Sequence, residues 1–206
     1  MKIIVITGGI GSGKSEVCRI LQEAGVTAQY NADNKVKELY LTHPTLLSSI
    51  EDALGCTLRD SAGSFLPSLL ASRIFTEPDS LKIVEDLVFP VLKEDFESYA
   101  SAHAENGFVI FESATILQKP QFDGFGDVIV LVDAPYEVRL SRACARDGAQ
   151  RDAIEARMAN QKLLNALSAG ETDPRIDAVI RNDSDMDALI RRTYETMTVL
   201  FGDWKR

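Results

Sequence analysis

The chain has 206 residues, with 22 Lys+Arg against 31 Asp+Glu, a formal net charge of −9 and a hydrophobic content of 45%. That size suits one globular domain with room for an inserted subdomain, burying roughly 70% of its unfolded surface with no need of disulfide staples. The acidic balance excludes attachment to nucleic acid or an anionic membrane by bulk charge, yet leaves room for a local anion site.

Taken in chain order, Ile3–Ile6 is a β-branched run that ends in Thr7-Gly8-Gly9 and predicts a central parallel strand buried on both faces. Lys14 to Ala24 carries Val17, Ile20 and Leu21 at helical spacing, with Gly25 closing the helix. Residues 26–30 read as a second short strand leading to Ala32-Asp33. Residues 34–105 read as a helical insert, with Ile83, Leu87, Val91 and Leu92 in register. Pro44, Gly55, Gly63, Pro67, Pro78 and Pro90 punctuate it. Gly107–Phe111 and Val128–Val132 are further buried strands, ending at Glu112 and Asp133. Pro135 opens a helix, where its missing N–H costs little. An Arg-rich stretch then runs to about Gly170, Ala178–Ile180 forms a last short strand, and residues 185–201 form a final amphipathic helix. Five strands alternating with helices predict an α/β fold: a parallel sheet flanked by helices, one domain over residues 1–206.

The acid is concentrated. Residues 37–136 hold 6 Lys+Arg and 16 Asp+Glu, so the whole excess lies in the middle of the chain. Cys18, Cys56 and Cys144 lie far apart without a CxxC pair, which suggests reduced thiols in the cytoplasm. His43 and His103 are too few and too scattered for a zinc site. The first apolar run is too short for a signal-peptide core, and no stretch approaches the ~18 apolar residues of a membrane span. No membrane, nucleic acid or obligate protein partner is expected.

Gly8-Gly9-Ile10-Gly11-Ser12-Gly13-Lys14-Ser15 matches GxxxxGK[ST] between a predicted strand and a predicted helix. Glycines let successive backbone N–H groups turn inward on phosphate oxygens, and the helix beginning near Gly13 adds its positive end. Lys14 reaches the β- and γ-phosphates and the Ser15 hydroxyl ligates Mg²⁺. Glu16 contributes only its backbone N–H, its carboxylate pointing away. The motif reads as a site for a nucleoside triphosphate. A guanine reader is absent, since Asn34-Lys35 is followed by Val36-Lys37, and Asp60-Ser61-Ala62-Gly63 reads as a turn. A small-molecule kinase or a non-signalling ATPase remains.

A kinase for a hydroxyl acceptor needs a carboxylate to take the hydroxyl proton. Asp33 falls after the second strand, at the sheet edge where open α/β folds bind ligands, although a helix cap is its bland alternative. Glu112 and Asp133 end strands on that edge and compete to order water around the metal, with Val128–Asp133 the more Walker B-like by composition. Five of the thirteen arginines lie within residues 139–157. Arg139, Arg142 and Arg146 share one helical face, which suits a lid that clamps phosphate. The alternative is a solvated helix paired with Glu137, Asp147, Asp152 and Glu155.

Thr7–Ser15, Asp33, Arg142 and Arg146 before Asp147-Gly148, Arg157-Met158 with Gln161, and Ile176–Ile180 with Asn182 together resemble the dephospho-coenzyme A kinase family, over nearly the whole chain. The resemblance implies a P-loop kinase that uses MgATP on the ribose 3′-hydroxyl of dephospho-CoA. It implies that Asp33 is the base, aided by Lys14 and Arg142. ATP would be bound by Gly9, Gly11, Ser12, Gly13, Lys14, Ser15, Glu16, Arg142, Arg146 and Asn182. Asp33, Glu85, Glu112, Arg157 and Gln161 would face the acceptor, residues 34–105 forming its subdomain and residues 139–170 the lid. The chain departs from the family at Gly63–Pro67, where an Arg is usual, and at Phe89-Pro90, where His-Pro is usual. It departs again at Ala114–Gln118 and at Arg139, where Gln is common. Two other readings stand beside this one: a kinase for another nucleoside or small metabolite, and an ATP-binding regulatory protein.

Overall fold

The computed structural model describes residues 1–77 and 79–204; Pro78, one of the predicted punctuation points, lies outside the described residues. In chain order the elements are β1 (Lys2–Thr7), α1 (Lys14–Glu23), β2 (Gln29–Asn31), α2 (Ala32–Thr42), α3 (Leu46–Leu54), α4 (Pro67–Thr76), α5 (Ser80–Ala102), β3 (Phe108–Glu112), β4 (Val128–Asp133), α6 (Tyr136–Asp147), α7 (Arg151–Ala159), α8 (Lys162–Ser168), β5 (Ala178–Arg181) and α9 (Met186–Phe201). The strands form one sheet in the order β2-β3-β1-β4-β5, with every neighbouring pair parallel. This is the α/β architecture read from the alternation of strands and helices.

The chain divides into two compact units, Met1–Asn31 with His103–Arg206, and Ala32–Ala102. The second unit thus begins two residues before the predicted insert and ends three before its predicted end. In the first unit, β1 lies between β3 and β4, so both its faces are covered and its sequence has no polar alternation. Ile4 and Ile6 join Val17, Ile20 and Leu21 of α1, Val130 and Val132 of β4, and Leu189 and Met197 of α9 in one core. On the other strands, Phe111 stacks on Tyr30 with centroids 5.6 Å apart and meets Phe125 edge-on at 4.7 Å. A smaller cluster of Leu140, Ala143, Ile154 and Met158, from α6 and α7, takes Ile10 against it. That contact anchors the loop after β1. All three cysteines are free thiols.

In the second unit, α5 packs against α2, α3 and α4. It buries Val84, Val88, Leu92, Phe96 and Ala100, one residue per turn along a single stripe. Pro90 does not break it, contrary to its reading as punctuation. The proline is exposed, so the carbonyl it leaves without a donor can turn to water while the buried stripe continues past it. Asp60 Oδ1 accepts from the N–H groups of Ala62 and Ser64, each at 2.9 Å, which makes Asp60–Gly63 the corner between Arg59 and Phe65.

Candidate active site

Between β1 and α1 the residues Gly8–Gly13 form a tight loop. Gly11 has φ 74° and Gly13 has φ 98°, both in the left-handed region. A Cβ at Gly11 would stand 2.1 Å from the Arg139 carbonyl oxygen, and one at Gly13 would stand 2.1 Å from Asn182 Nδ2. These glycines therefore admit protein neighbours behind the loop as well as a ligand in front. Lys14 Nζ donates to the carbonyls of Gly8 at 2.9 Å and Gly9 at 3.3 Å. The first turn of α1 offers backbone donors that a helix leaves for an outside acceptor, together with the positive end of its dipole. Glu16 turns its carboxylate to Arg19 on the helix surface, and its N–H is bonded to the Gly13 carbonyl at 3.0 Å. The backbone contribution expected of Glu16 is thus already committed within the turn.

Two side chains from far along the sequence brace the loop. Asn182, buried just past β5, donates from Nδ2 to the Ser12 carbonyl at 2.9 Å. Its own N–H donates to the Asp133 carbonyl at 2.7 Å, which fixes it to the end of β4. Gln161, also buried, accepts the Ile10 N–H on Oε1 at 2.8 Å. The resemblance sets Gln161 toward the acceptor; in the structure its amide oxygen accepts from the phosphate loop.

The two strand-end acids separate. Glu112 is the register partner of Ile6 and of Asn31, which puts it between β1 and β2 at the carboxyl edge. Its Oε1 accepts from Ser15 Oγ at 2.7 Å and its Oε2 from Asn31 Nδ2 at 2.7 Å. Asp133 instead accepts from Ser168 Oγ and pairs with Arg181. The acid beside the predicted metal-binding hydroxyl is Glu112, although β4 looked more like the Walker B strand. Composition reports how buried a strand is, and the sheet order decides which acid ends beside Ser15. Among the described residues no group of three or more His, Cys, Asp or Glu is set to hold a metal alone. The hydroxyl and carboxylate at Ser15 and Glu112 are hard oxygen donors, and fit a Mg²⁺ that completes its shell with phosphate and water.

Asp33 is exposed in the first turn of α2, two residues past the end of β2, and opens the second unit. Glu85 lies half-buried on α5 in that same unit. Burial, and then the Glu85 charge, push the Tyr40 phenol up to about 12.

The predicted arginine face does not act as one. Arg139 is buried and donates from Nη2 to Asn165 Oδ1 at 3.0 Å. Arg142 donates to Asn182, from Nη1 to its carbonyl at 3.2 Å and from Nη2 to Oδ1 at 3.3 Å. Arg146 and Arg157 both hold Asp147, at 2.6 Å and 2.7 Å, and Arg151 pairs with Glu155 and Glu137. Hydrogen bonds from Arg146 and then Arg157 pull the Asp147 carboxyl down to about 2. Seven residues of helix span about 10 Å. That is far enough for one face to begin beneath the phosphate loop and finish in solvent.

The family model described as dephospho-CoA kinase matches residues 2–188. A dephospho-CoA kinase of Porphyromonas gingivalis is 35% identical over 173 residues, covering 84% of each chain. The crystal structure of a Thermus thermophilus protein superposes with a TM-score of 0.82 at 25% identity, over 97% of both chains. A shikimate kinase from Acinetobacter baumannii, solved in complex with shikimate, is 16% identical with a TM-score of 0.54, over 98% of this chain and 94% of its own. That last likeness is one of fold alone.

Proposed function

The chain belongs to the dephospho-CoA kinase family, and from that premise we propose how its residues share the ATP-dependent phosphorylation of dephospho-CoA, the family's step in coenzyme A biosynthesis. The enzyme moves a phosphoryl group from ATP to an alcohol, and the family implies a divalent metal with the nucleotide.

The ATP triphosphate lies in Gly8–Gly13 and against the first turn of α1, where Gly9, Gly11, Ser12, Gly13 and the N–H groups of Lys14 and Ser15 surround it. Lys14 exchanges its two carbonyl partners for β- and γ-phosphate oxygens. Mg²⁺, held by Ser15 and by phosphate oxygens with Glu112 ordering its water, would neutralise charge on the transferring group. Asp33 orients the ribose 3′-hydroxyl of the acceptor. As the new oxygen–phosphorus bond forms, Asp33 takes the hydroxyl proton, and the bond to the β-phosphate breaks with its electron pair leaving on ADP. Arg142 keeps contact with Asn182 while facing the nucleotide, and Arg146 gives up Asp147 for phosphate. Glu85, Arg157 and Gln161 serve the acceptor, with Gln161 also bracing the loop. The three free thiols support a reducing, cytoplasmic setting. No helix among the described residues is long and apolar enough to cross a membrane.

The observation that carries this reading is the Ser15–Glu112 hydrogen bond at 2.7 Å, at the mouth of a complete phosphate loop. The test is ADP release with and without dephospho-CoA, followed by locating the new phosphate on the product. Turnover that depends on the acceptor and ends in a 3′-phosphate is expected; ATP consumption indifferent to dephospho-CoA would sink the reading.

A further inference from the structure

Arg139 heads the largest fully buried side chains among the described residues, at 1% exposure. It stands in the first turn of α6 with its guanidinium against the phosphate loop. A Cβ built on Gly9 would fall 1.9 Å from Arg139 Nη1 and 3.5 Å from Gln161 Oε1. Twelve of the thirteen glycines have positive φ, and Gly9 is the exception. Its φ is not positive, so left-handed backbone does not call for glycine there, and the guanidinium stands where a side chain would be.

The guanidinium is itself braced. Nη2 is tied to Asn165, whose Nδ2 donates to the Met158 carbonyl at 2.7 Å and whose N–H donates to the Gln161 carbonyl at 2.9 Å. Gln161 in turn holds the Ile10 N–H. Nε and Nη1 have no hydrogen-bond partner among the described residues. The carboxylate that acts on Arg139, Asp133, is itself engaged by Ser168 and Arg181, and burial pulls the Arg139 pKa down. A cation buried this way is costly, and its return is geometric: it fills a space and fixes the chain beside it. A Gln here would end two bonds short of the Nη atoms.

We propose that Arg139 is a positioning residue for the phosphate loop, its guanidinium occupying the place of a side chain at Gly9 and fixing the loop's first half for ATP. The identity of the ligand rests on the kinase reading; the coupling of the two residues does not.

A double-mutant cycle tests it, read by calorimetric titration with the non-hydrolysable ATP analogue AMPPNP and Mg²⁺. Gly9→Ala in the wild-type background should weaken binding about tenfold or more, and in an Arg139→Met background by less than about twofold. Arg139→Met alone should raise KM for ATP about fivefold and leave KM for dephospho-CoA within about twofold. Equal penalties for Gly9→Ala in both backgrounds would overturn the proposal, as would parallel rises in both KM values. Should Arg139→Met fail to fold, the cycle is run with Arg139→Gln, which is also too short to reach Gly9. A wild type that binds AMPPNP but transfers nothing to dephospho-CoA refutes the kinase reading and leaves the Gly9–Arg139 coupling measurable.

Discussion

Ser15 Oγ donates to Glu112 Oε1 at 2.7 Å while Asn31 Nδ2 occupies Oε2, so one carboxylate joins the start of α1 to the ends of β2 and β3. Glu112→Gln preserves the shape and removes the charge. If the carboxylate orders water around the nucleotide's metal, turnover falls about 10–100-fold and half-saturation by Mg²⁺ shifts upward. Initial rates across a Mg²⁺ titration give the answer. Unchanged metal dependence would reduce Glu112 to a hydrogen-bond partner for Ser15.

Asp33 is exposed and opens the second unit, so replacing it removes a charge without hollowing a core. Asp33→Asn should bind AMPPNP as the wild type does and lose about 10²–10⁴ in kcat, the range that a positioned acid or base supplies. Near-normal turnover would return Asp33 to the role of a helix cap.

Asn182→Ala removes a buried donor to the Ser12 carbonyl and an acceptor for Arg142. Loss of such a bond costs about 1–3 kcal/mol. At about 2–4 °C per kcal/mol for a chain this size, Tm should drop by several degrees. Asn182→Asp retains the partner of Arg142 but sets a carboxylate against the Ser12 carbonyl. If the Ser12 contact is the one that shapes the loop, Asn182→Asp should impair AMPPNP binding at least as much as Asn182→Ala, although it keeps the Oδ1 acceptor of Arg142. Calorimetry and thermal melts on both variants separate the two contacts.

Asp147 titrates near 2 when folded against an ordinary value of 3.8, because Arg146 and Arg157 favour its charged form. The unfolded chain therefore takes up its proton first as pH falls. The stabilisation is complete above about pH 5 and is lost as pH drops toward 2. Asp147→Asn should melt slightly below the wild type at pH 7, with the gap closing by pH 2 and shrinking in salt, since both arginines are largely exposed. Melting curves at several pH values test this; a gap that ignores pH would mean the asparagine perturbs packing and not charge.

What could be read from the sequence follows from how local each signal is. Ile3–Ile6 and Val128–Val132 announce buried parallel strands because cover on both faces leaves no polar alternation. The GxxxxGKS run marks the phosphate loop because its eight residues are adjacent in the sequence. Pro90 misled because a proline's effect on a helix depends on whether the orphaned carbonyl reaches solvent, which the residue type does not state. Arg139, Arg142 and Arg146 share an angular position on α6, but spacing says nothing about what covers each turn. One is sealed under Gly9, one meets Asn182 and one meets Asp147. The roles of Gln161 and Asn182 depend on partners 151 and 170 residues away. The resemblance singled out both residues; only the folded chain brings their amides to the loop.

The bond from Asn182 to Ser12 has a consequence for synthesis on the ribosome. The phosphate motif is made before Arg139, Gln161 and Asn182, the three residues that brace it from behind. A nascent chain that stops before α6 contains the full phosphate motif with its Lys14 and Glu112 contacts, but lacks these three braces. Nucleotide should therefore stabilise the chain more strongly once β5 docks and Asn182 reaches the loop. The order of synthesis thus sets the most recognisable sequence ahead of the side chains that brace it.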